Sequence, residues 1–422
     1  MLIQYRRSVD EIRQTLSTTN IAGRPLSWYL GGWRLGIFFL ALALIFPWTL
    51  SDQTLVVDAI SIGIYVLLAL GLNIVVGYAG LLDLGYVAFF VIGAYTVAVG
   101  TSGFLQNSKG QTFTIPTASF WVLLPIAALA AGLFGVLLGA PTLRLRGDYL
   151  AIVTLGFGQI VPSIFAYVPY FFSNIGMSAL PPPDVGPITF SDPLNNLPFY
   201  YLTLALVVLV ILAVAALRDS SLGRAWVAIR EDETAAAASG INLVRTKLLA
   251  FGLGAVTGGI GGALNAAYLK TIAPSDFNFD ISITILIMIV LGGIGSIPGV
   301  ILGAIVLRFI DVYLIGNVSN AVQTNPFTAH LLGGIDLNQS KYLIYGIILV
   351  LMILLRPQGL IPNTRRSREL AGIGASVEGA SAVGLLAREE SESVETAADD
   401  QGSTSEASSF AGAGSDAQGR EG

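Results

Sequence analysis

The sequence is poor in charged residues and contains no cysteine. Asp, Glu, Lys and Arg make up only 12% of its 422 residues, against about 25% in typical soluble domains. The lack of cysteine excludes disulfides, thiolate metal sites and cysteine nucleophiles. The single histidine, His330, has no second imidazole with which to share a metal ion. The composition therefore predicts no metal site and no thiol chemistry.

Motifs for nucleotide binding and for catalysis are also missing. None of the four lysines follows a glycine, so the chain has no G-x-x-x-x-G-K-[ST] phosphate-binding loop. No Ser/His/Asp set or carboxylate pair suggests chemistry, and there is no arginine-rich voltage sensor or Thr-Val-Gly-Tyr-Gly filter. We expect a chain that is not an enzyme, has no catalytic residues, needs no cofactor and has no nucleic-acid partner.

Long apolar runs dominate what is present. Hydrophobic residues make up 54% of the chain, and the mean hydropathy is +0.73. Repeated apolar runs of about 18 residues are helical, because lipid offers backbone groups no other partner. The sequence predicts an all-α polytopic membrane protein, surrounded by membrane lipid, with about ten transmembrane helices. The predicted spans are 35–50, 57–76, 84–100, 119–139, 149–171, 198–217, 248–269, 281–294, 299–315 and 341–355.

The distribution of basic residues predicts the orientation. With both termini cytoplasmic, sixteen basic residues outside the acidic tail lie on the inner side and only three, Lys109, Lys270 and Lys341, on the outer side. Inner loops carry the excess of Lys and Arg in membrane proteins. Residues 1–34 are then a cytoplasmic segment, in which Ile3, Val9, Ile12 and Leu16 favour a helix lying on the membrane surface. A frayed terminus is the alternative.

The C-terminal tail, residues 363–422, differs in composition from the rest. Residues 369–422 hold 11 acidic and two basic residues among Ala, Gly and Ser, with few large apolar groups. Such a segment cannot bury a core, so we expect it to be disordered. The membrane domain is predicted to span residues 35–362.

A polar, alanine-rich insert at 218–247 separates two apolar runs and carries five of the 22 basic residues. It predicts a cytoplasmic docking surface for an external driving subunit. Asp232 is expected to cap a short helix and Gly240 to end it, leaving the slim surface of Ala235–Ala238 to enter a groove on the partner. The alternative is a merely solvated helical loop. The predicted docking residues are Gly223, Arg224, Arg230, Glu231, Asp232, Glu233, Ala236 and Gly240.

Two glycine-rich stretches interrupt the apolar region, GYAGLLDLGY (77–86) and GGIGSIPG (292–299). Interrupted segments at matching places in two halves of a chain point to a transport path between internal repeats. Tight cytoplasmic turns are the alternative. Asp83 either lines the path or accepts hydrogen bonds from the backbone of a broken helix, and we favour the second role. The predicted path residues are Asn73, Gly77, Tyr78, Gly80, Asp83, Tyr86, Gly292, Gly293, Gly295 and Ser296.

Glycines also recur every fourth residue in two places, at 254, 258 and 262 and at 295, 299 and 303. This spacing places each set on one helix face, where two backbones can approach closely. We expect tight helix packing at both sets.

Five stretches of the sequence resemble the permease subunits of branched-chain amino acid ABC importers, of the LivM type. They are GYAGLLDLGYVAFFVIGAYT (77–96), LRLRGDYLAIVTLGFGQI (143–160), SLGRAWVAIREDETAAAASGINLVRTKLLAF (221–251), VLGGIGSIPGVILGA (290–304) and LRPQGLIP (355–362). The resemblance implies a permease in the cell membrane that carries branched-chain or other neutral amino acids. It also implies three kinds of partner: a second, similar permease, cytoplasmic ATPase subunits that bind the 218–247 insert, and an external substrate-binding protein.

Two other functions stay open at this level. A permease of a urea or amide importer shares the same architecture. An ATP-independent secondary transporter would need ion-coupling residues in its spans, and few charged residues, among them Asp58, Asp83 and Arg308, lie in or near them.

The predicted orientation is testable because the chain lacks cysteine. A single cysteine replacing Ser108 or Asn195, which lie in predicted outer loops, should react with an impermeant maleimide in intact cells. A cysteine replacing Ser239 or Ser367 should react only after the membrane is permeabilised. External labelling at position 239 would contradict both the orientation and the cytoplasmic docking surface.

Overall fold

The computed structural model is helical in almost every part of the chain that it describes. It describes residues 20–21, 24–25, 32–49, 53–106, 112–114, 116–142, 147–168, 176–178, 180–184, 190, 196–311, 341–356 and 359–361. The predicted surface helix near the N-terminus and the acidic tail lie outside these residues and stay predictions.

The α-helices are named here in chain order. They are α1 (Gly32–Thr49), α2 (Gln53–Leu72), α3 (Val87–Ser102), α4 (Phe120–Thr142), α5 (Asp148–Tyr167), α6 (Leu197–Asp219), α7 (Ser221–Glu231), α8 (Glu233–Ala238), α9 (Leu243–Leu269), α10 (Phe279–Gly292), α11 (Ile297–Phe309) and α12 (Lys341–Leu355). A π-helical turn, Asn73–Tyr78, continues α2, and a 3₁₀ turn, Pro274–Asp276, precedes α10.

The strands of the described residues form three short antiparallel pairs and no closed sheet. The pairs are β1 (Asn20–Ile21) with β2 (Arg24–Pro25), β3 (Phe104–Gln106) with β4 (Thr112–Thr114), and β5 (Met177–Ser178) with β6 (Thr271–Ile272). In the last pair Met177 lies opposite Ile272, which attaches the segment after α5 to the end of α9.

Each predicted span coincides with a helix, α1 to α6 and α9 to α12. Within the described ranges, six apolar helical stretches are long enough to cross a membrane: Gln53–Tyr78, Phe120–Thr142, Asp148–Tyr167, Leu197–Asp219, Leu243–Leu269 and Pro274–Gly292. The apolar parts of α1, α3, α11 and α12 are shorter. The all-helical fold is thereby confirmed, whereas the count of about ten spans and the side of the termini stay predictions.

Helix α9 is at the centre of the packing, against α2, α3 and α4. Glycines allow these contacts: a Cβ atom added at Gly262 would lie 2.0 Å from the carbonyl oxygen of Phe90 on α3, and one at Gly254 would lie 3.1 Å from that of Gly71 on α2. The prediction of tight packing at 254, 258 and 262 is confirmed.

The second glycine set behaves differently. Gly299 and Gly303 lie on α11 and contact the backbone of α10 at Gly292 and Met288. Gly295 precedes α11 in a turn with φ +82°, so the prediction that all three share one helix face was wrong for this residue. Ser296 begins α11 by accepting a hydrogen bond from the Gly299 amide, at 3.3 Å, which leaves Gly295 outside the helix.

The side chain of Arg308 joins α11 to α2. The Arg308 guanidinium forms an ion pair with Asp311, donates to Ser61 Oγ at 2.7 Å and lies 4.5 Å from the centre of the Tyr65 ring. These contacts supply polar partners for a cation among apolar helices, where an unpaired charge is costly.

Candidate functional site

The insert between α6 and α9 folds as two short helices, α7 and α8, called here the α7–α8 hairpin (221–240). Ser220 caps α7 by accepting a hydrogen bond from the Gly223 amide at 3.3 Å. Gly223, Trp226 and Ile229 are buried, and their three-residue spacing places them on one helix face. Helix α7 therefore lies with this face against the membrane helices and its other face exposed.

Asp232 separates the two helices. Its backbone is extended (φ −155°, ψ 113°), and its side chain accepts hydrogen bonds from the amides of Ala235 at 3.0 Å and Thr234 at 2.7 Å. These bonds to Ala235 and Thr234 hold the pKa of the Asp232 carboxyl below its usual value. The predicted helix cap is confirmed.

Gly240 ends α8. Its φ of +82° is in the left-handed region, its amide donates to Ala237 O at 3.0 Å, and the amide of Ile241 donates to Ala236 O at 3.1 Å. This pair of bonds is the glycine-terminated helix end that commonly closes helices. The predicted end of α8 is confirmed.

Ala236 does not belong to the exposed surface of α8. It is 3% exposed and faces the rest of the chain, whereas Ala235, Ala237, Ala238 and Ser239 are exposed. The prediction that Ala236 contributes to a free surface was wrong, because the helix turns this residue inward. The four exposed residues are called here the α8 surface.

Two attachments of the hairpin to α9 were not predicted. Lys247 Nζ lies 2.5 Å from Glu233 Oε1, and the lysine is 5% exposed. The indole N–H of Trp226 donates to Thr246 O at 2.8 Å. Glu233 is thus paired within the chain. The one sequence signal for this pair was a lysine directly before an apolar run, and it was not used.

The two arginines predicted for docking have different surroundings. Arg224 is exposed and donates to the carbonyl oxygen of Asp219, at 3.2 Å, where α6 meets α7. Arg230 is half-buried and donates to the carbonyl oxygen of Gly77. Gly223 is buried on α7, and Glu231 is exposed at its end.

The first glycine-rich stretch, 77–86, interrupts the helical path between α2 and α3 and is called here the first break. Asp83 accepts a hydrogen bond from the Gly85 amide at 2.9 Å and is 1% exposed. Thr154 of α5 accepts from the Leu84 amide at 3.1 Å. This arrangement agrees with the favoured role for Asp83, an acceptor for backbone groups that the broken helix leaves without partners.

The second glycine-rich stretch, 292–299, contains the turn between α10 and α11 and is called here the second break. Gly293 and Gly295 have φ values of +121° and +82°, which other residues rarely adopt. The segment after α12 supplies hydrogen bonds to the end of α10. The amide of Leu360 donates to Leu291 O at 2.9 Å, and that of Ile361 donates to Gly292 O at 3.0 Å.

The two breaks meet at Asn73. Its side-chain oxygen accepts a hydrogen bond from the Gly295 amide at 2.9 Å, and the residue is fully buried. A Cβ atom added at Gly77 would lie 3.0 Å from the Gly295 nitrogen. The fold thus brings together two glycine-rich stretches that are far apart in the chain.

The predicted path residues form a closed junction in the described structure. All of them except Gly80 are buried. The Tyr86 hydroxyl donates to Gly254 O at 2.9 Å, which fixes this ring on α9. The cavity beside Asp83 measures about 10 Å³, room for at most one water molecule. A role in lining a path stays a prediction for these residues.

Comparison with known proteins places this architecture among transport permeases. Residues 56–355 match the family described as branched-chain amino acid transport system, permease component. The chain is 38% identical over 363 residues to the high-affinity branched-chain amino acid transport system permease protein LivM of Escherichia coli, covering 81% of this chain and 78% of that protein.

More distant relatives carry related names. The probable branched-chain amino acid transport permease protein LivM of Methanocaldococcus jannaschii is 27% identical over 329 residues, which cover 71% of this chain and 91% of that protein. The permease protein LivH of Escherichia coli is 29% identical over 145 residues, 34% of this chain and 41% of that protein. No solved structure matches the chain.

The hydrogen bond between the Gly295 amide and Asn73 makes a contribution to stability that can be measured. Asn73→Leu keeps the approximate size of the side chain but leaves the buried Gly295 amide without an acceptor, so it should lower stability by about 1–3 kcal/mol. Thermal unfolding of the detergent-solubilised protein measures the loss. Gln159→Leu, which changes an exposed amide on α5, is the control and should shift stability by less than about 0.5 kcal/mol. Equal stability of the two variants would contradict the role of Asn73.

Proposed function

Because the chain belongs to the family of branched-chain amino acid transport permease components, we propose that it is the membrane permease subunit of an ATP-driven importer. Its cargo is branched-chain or other neutral amino acids, delivered by an external binding protein. The observation that carries this proposal is the 38% identity to the LivM protein of Escherichia coli over 81% of the chain. Neither the urea permease nor the secondary transporter gains support from these relatives.

The proposal includes the placement of the chain in the cell membrane. About ten helices cross the bilayer, with both termini in the cytoplasm. The helices found at all ten predicted spans and the excess of basic residues in the inner loops support this arrangement.

A second permease subunit is proposed as a membrane partner. The chain is similar to both the LivM and the LivH proteins of Escherichia coli, over 81% and 34% of its length, so one organism contains two permease proteins that resemble it. This supports a pair of related permeases rather than a single chain acting alone.

Cytoplasmic ATPase subunits are proposed to bind the α8 surface. The alanines there leave a narrow, weakly polar ridge that a groove can enclose. Asp232 and Gly240 close both ends of α8, and Glu233 joins it to α9. The ridge is therefore held in one position, as a docking element requires.

Uptake measurements test the transport function. Cells lacking this chain should lose high-affinity uptake of radiolabelled leucine, isoleucine and valine, and the gene for the intact chain should restore it. Urea uptake should stay unchanged. Loss of urea uptake with normal leucine uptake would contradict the proposed cargo, and uptake independent of ATP would contradict the ABC importer.

Charge on the α8 surface should prevent ATPase binding. Ala237→Arg places a cation on the exposed ridge, where folding tolerates it. In a closed interface, an unpaired charge costs several kcal/mol. We expect the amount of co-purified ATPase to fall at least about tenfold. Ser221→Arg adds the same charge at the far end of the hairpin, outside the α8 surface, and is the control. Normal ATPase recovery with Ala237→Arg would leave the hairpin as a solvated loop.

A further inference from the structure

The α7–α8 hairpin is attached to the first break as well as to α9. Arg230, in the last turn of α7, donates a hydrogen bond from its guanidinium to the carbonyl oxygen of Gly77. Gly77 lies in the π-helical turn that ends α2, after which the chain is no longer helical. Carbonyl groups in the last turn of a helix lack partners within the helix, and a cation there also interacts favourably with the helix dipole. Arg230 therefore acts as the cap of α2 from another helix.

Gly80 allows the side chain of Arg230 to lie directly against the backbone of the first break. It has a φ of +70°, and a Cβ atom added there would lie 2.7 Å from Cγ and 3.1 Å from Cβ of Arg230. The stem of Arg230 thus rests on the backbone of the break while its guanidinium holds the end of α2. A larger residue at position 80 would push the Arg230 stem away from the backbone of the break.

The π-helical turn Asn73–Tyr78, which Arg230 caps, also contacts the second break. Gly77 lies against the Gly295 nitrogen, and Asn73, one turn earlier, accepts the hydrogen bond of that amide. Direct contacts therefore run from the α8 surface through α7 and Arg230 to the place where both breaks meet. The hydrogen bond of Trp226 and the ion pair of Lys247 join the hairpin to α9 instead.

We propose that Arg230 is the positioning residue that transmits movement of the α7–α8 hairpin to the junction of the two breaks. The hairpin and the end of α2 move as one body, so that force applied by an ATPase at the α8 surface moves the junction. This inference rests on the proposed function, since the ATPase supplies the force. It assigns to Arg230 a role in coupling, separate from ATPase binding.

Arg230→Met tests the proposal in vesicles that hold the complete importer with its ATPase and permease partners. ATPase co-purification and ATP hydrolysis should persist, because Arg230 is half-buried against Gly77 and lies outside the α8 surface, so its predicted place among the docking residues is replaced here by a role in coupling. The amount of leucine taken up per ATP hydrolysed should fall about tenfold, within the usual range for coupling between sites. Arg230→Lys keeps a cationic donor at the end of α2 and should restore part of the ratio. Arg245→Met, at an exposed position at the start of α9, removes the same charge and should keep the wild-type ratio.

A reversible crosslink separates coupling from a merely structural role. The chain contains no cysteine, so the double variant Gly80→Cys with Arg230→Cys offers one pair. Their Cβ atoms would lie 3.1 Å apart, and disulfides need about 3.5–4.5 Å, a difference that a small backbone shift supplies. The reduced protein should be uncoupled like Arg230→Met. Oxidation should restore leucine uptake per ATP by joining α7 to the break again.

Four results of these experiments can be told apart. A wild-type ratio in Arg230→Met would overturn the role of Arg230, and so would an oxidised double variant that stays uncoupled. Failure of the wild-type vesicles to take up leucine with ATP would instead overturn the proposed function. Recovery on oxidation supports the coupling role, because a folding defect would not be reversed by a single bond.

Discussion

The structure depends on the need of buried backbone groups for hydrogen-bond partners where water is absent. A continuous helix meets this need within itself, but α2 and α10 both end among other helices. The groups released there find partners on distant parts of the chain: Thr154 for the Leu84 amide, Asn73 for the Gly295 amide, and the segment after α12 for the end of α10. Each break thus becomes a place where several helices are joined.

The same constraint explains why glycine is frequent where the breaks meet. The backbones approach so closely that a Cβ atom at Gly77 or Gly292 would overlap neighbouring atoms. Close approach lets the Gly295 amide of one segment reach the Asn73 side chain of the other. The backbone conformations of Gly293 and Gly295, both with positive φ, shape the turn that carries this amide. The junction is consequently compact, with the two breaks in direct contact.

Many elements were predictable because their causes are local. Long apolar runs give helices at all ten predicted spans, and the Asp232 cap and the Gly240 end of α8 follow from residue types within a few positions. The inward side of α8 was not predictable. Four consecutive alanines carry no contrast between apolar and polar faces, so the sequence could not indicate that Ala236 alone is buried. The partners of Glu233 and Arg230 were missed because charge alone suggested exposed residues.

The sequence by itself determined that this chain is a bundle of apolar helices, where those helices lie along the chain, where they break, and which family it resembles. These properties follow from the backbone's demand for internal hydrogen bonds in lipid and from capping within a few residues. Only the tertiary structure decided that the two breaks touch and that Arg230 caps α2. Asn73 and Gly295 are 222 residues apart, and Arg230 and Gly77 are 153 apart. Such pairs are selected by how α2, α7 and α10 pack, which no local pattern records.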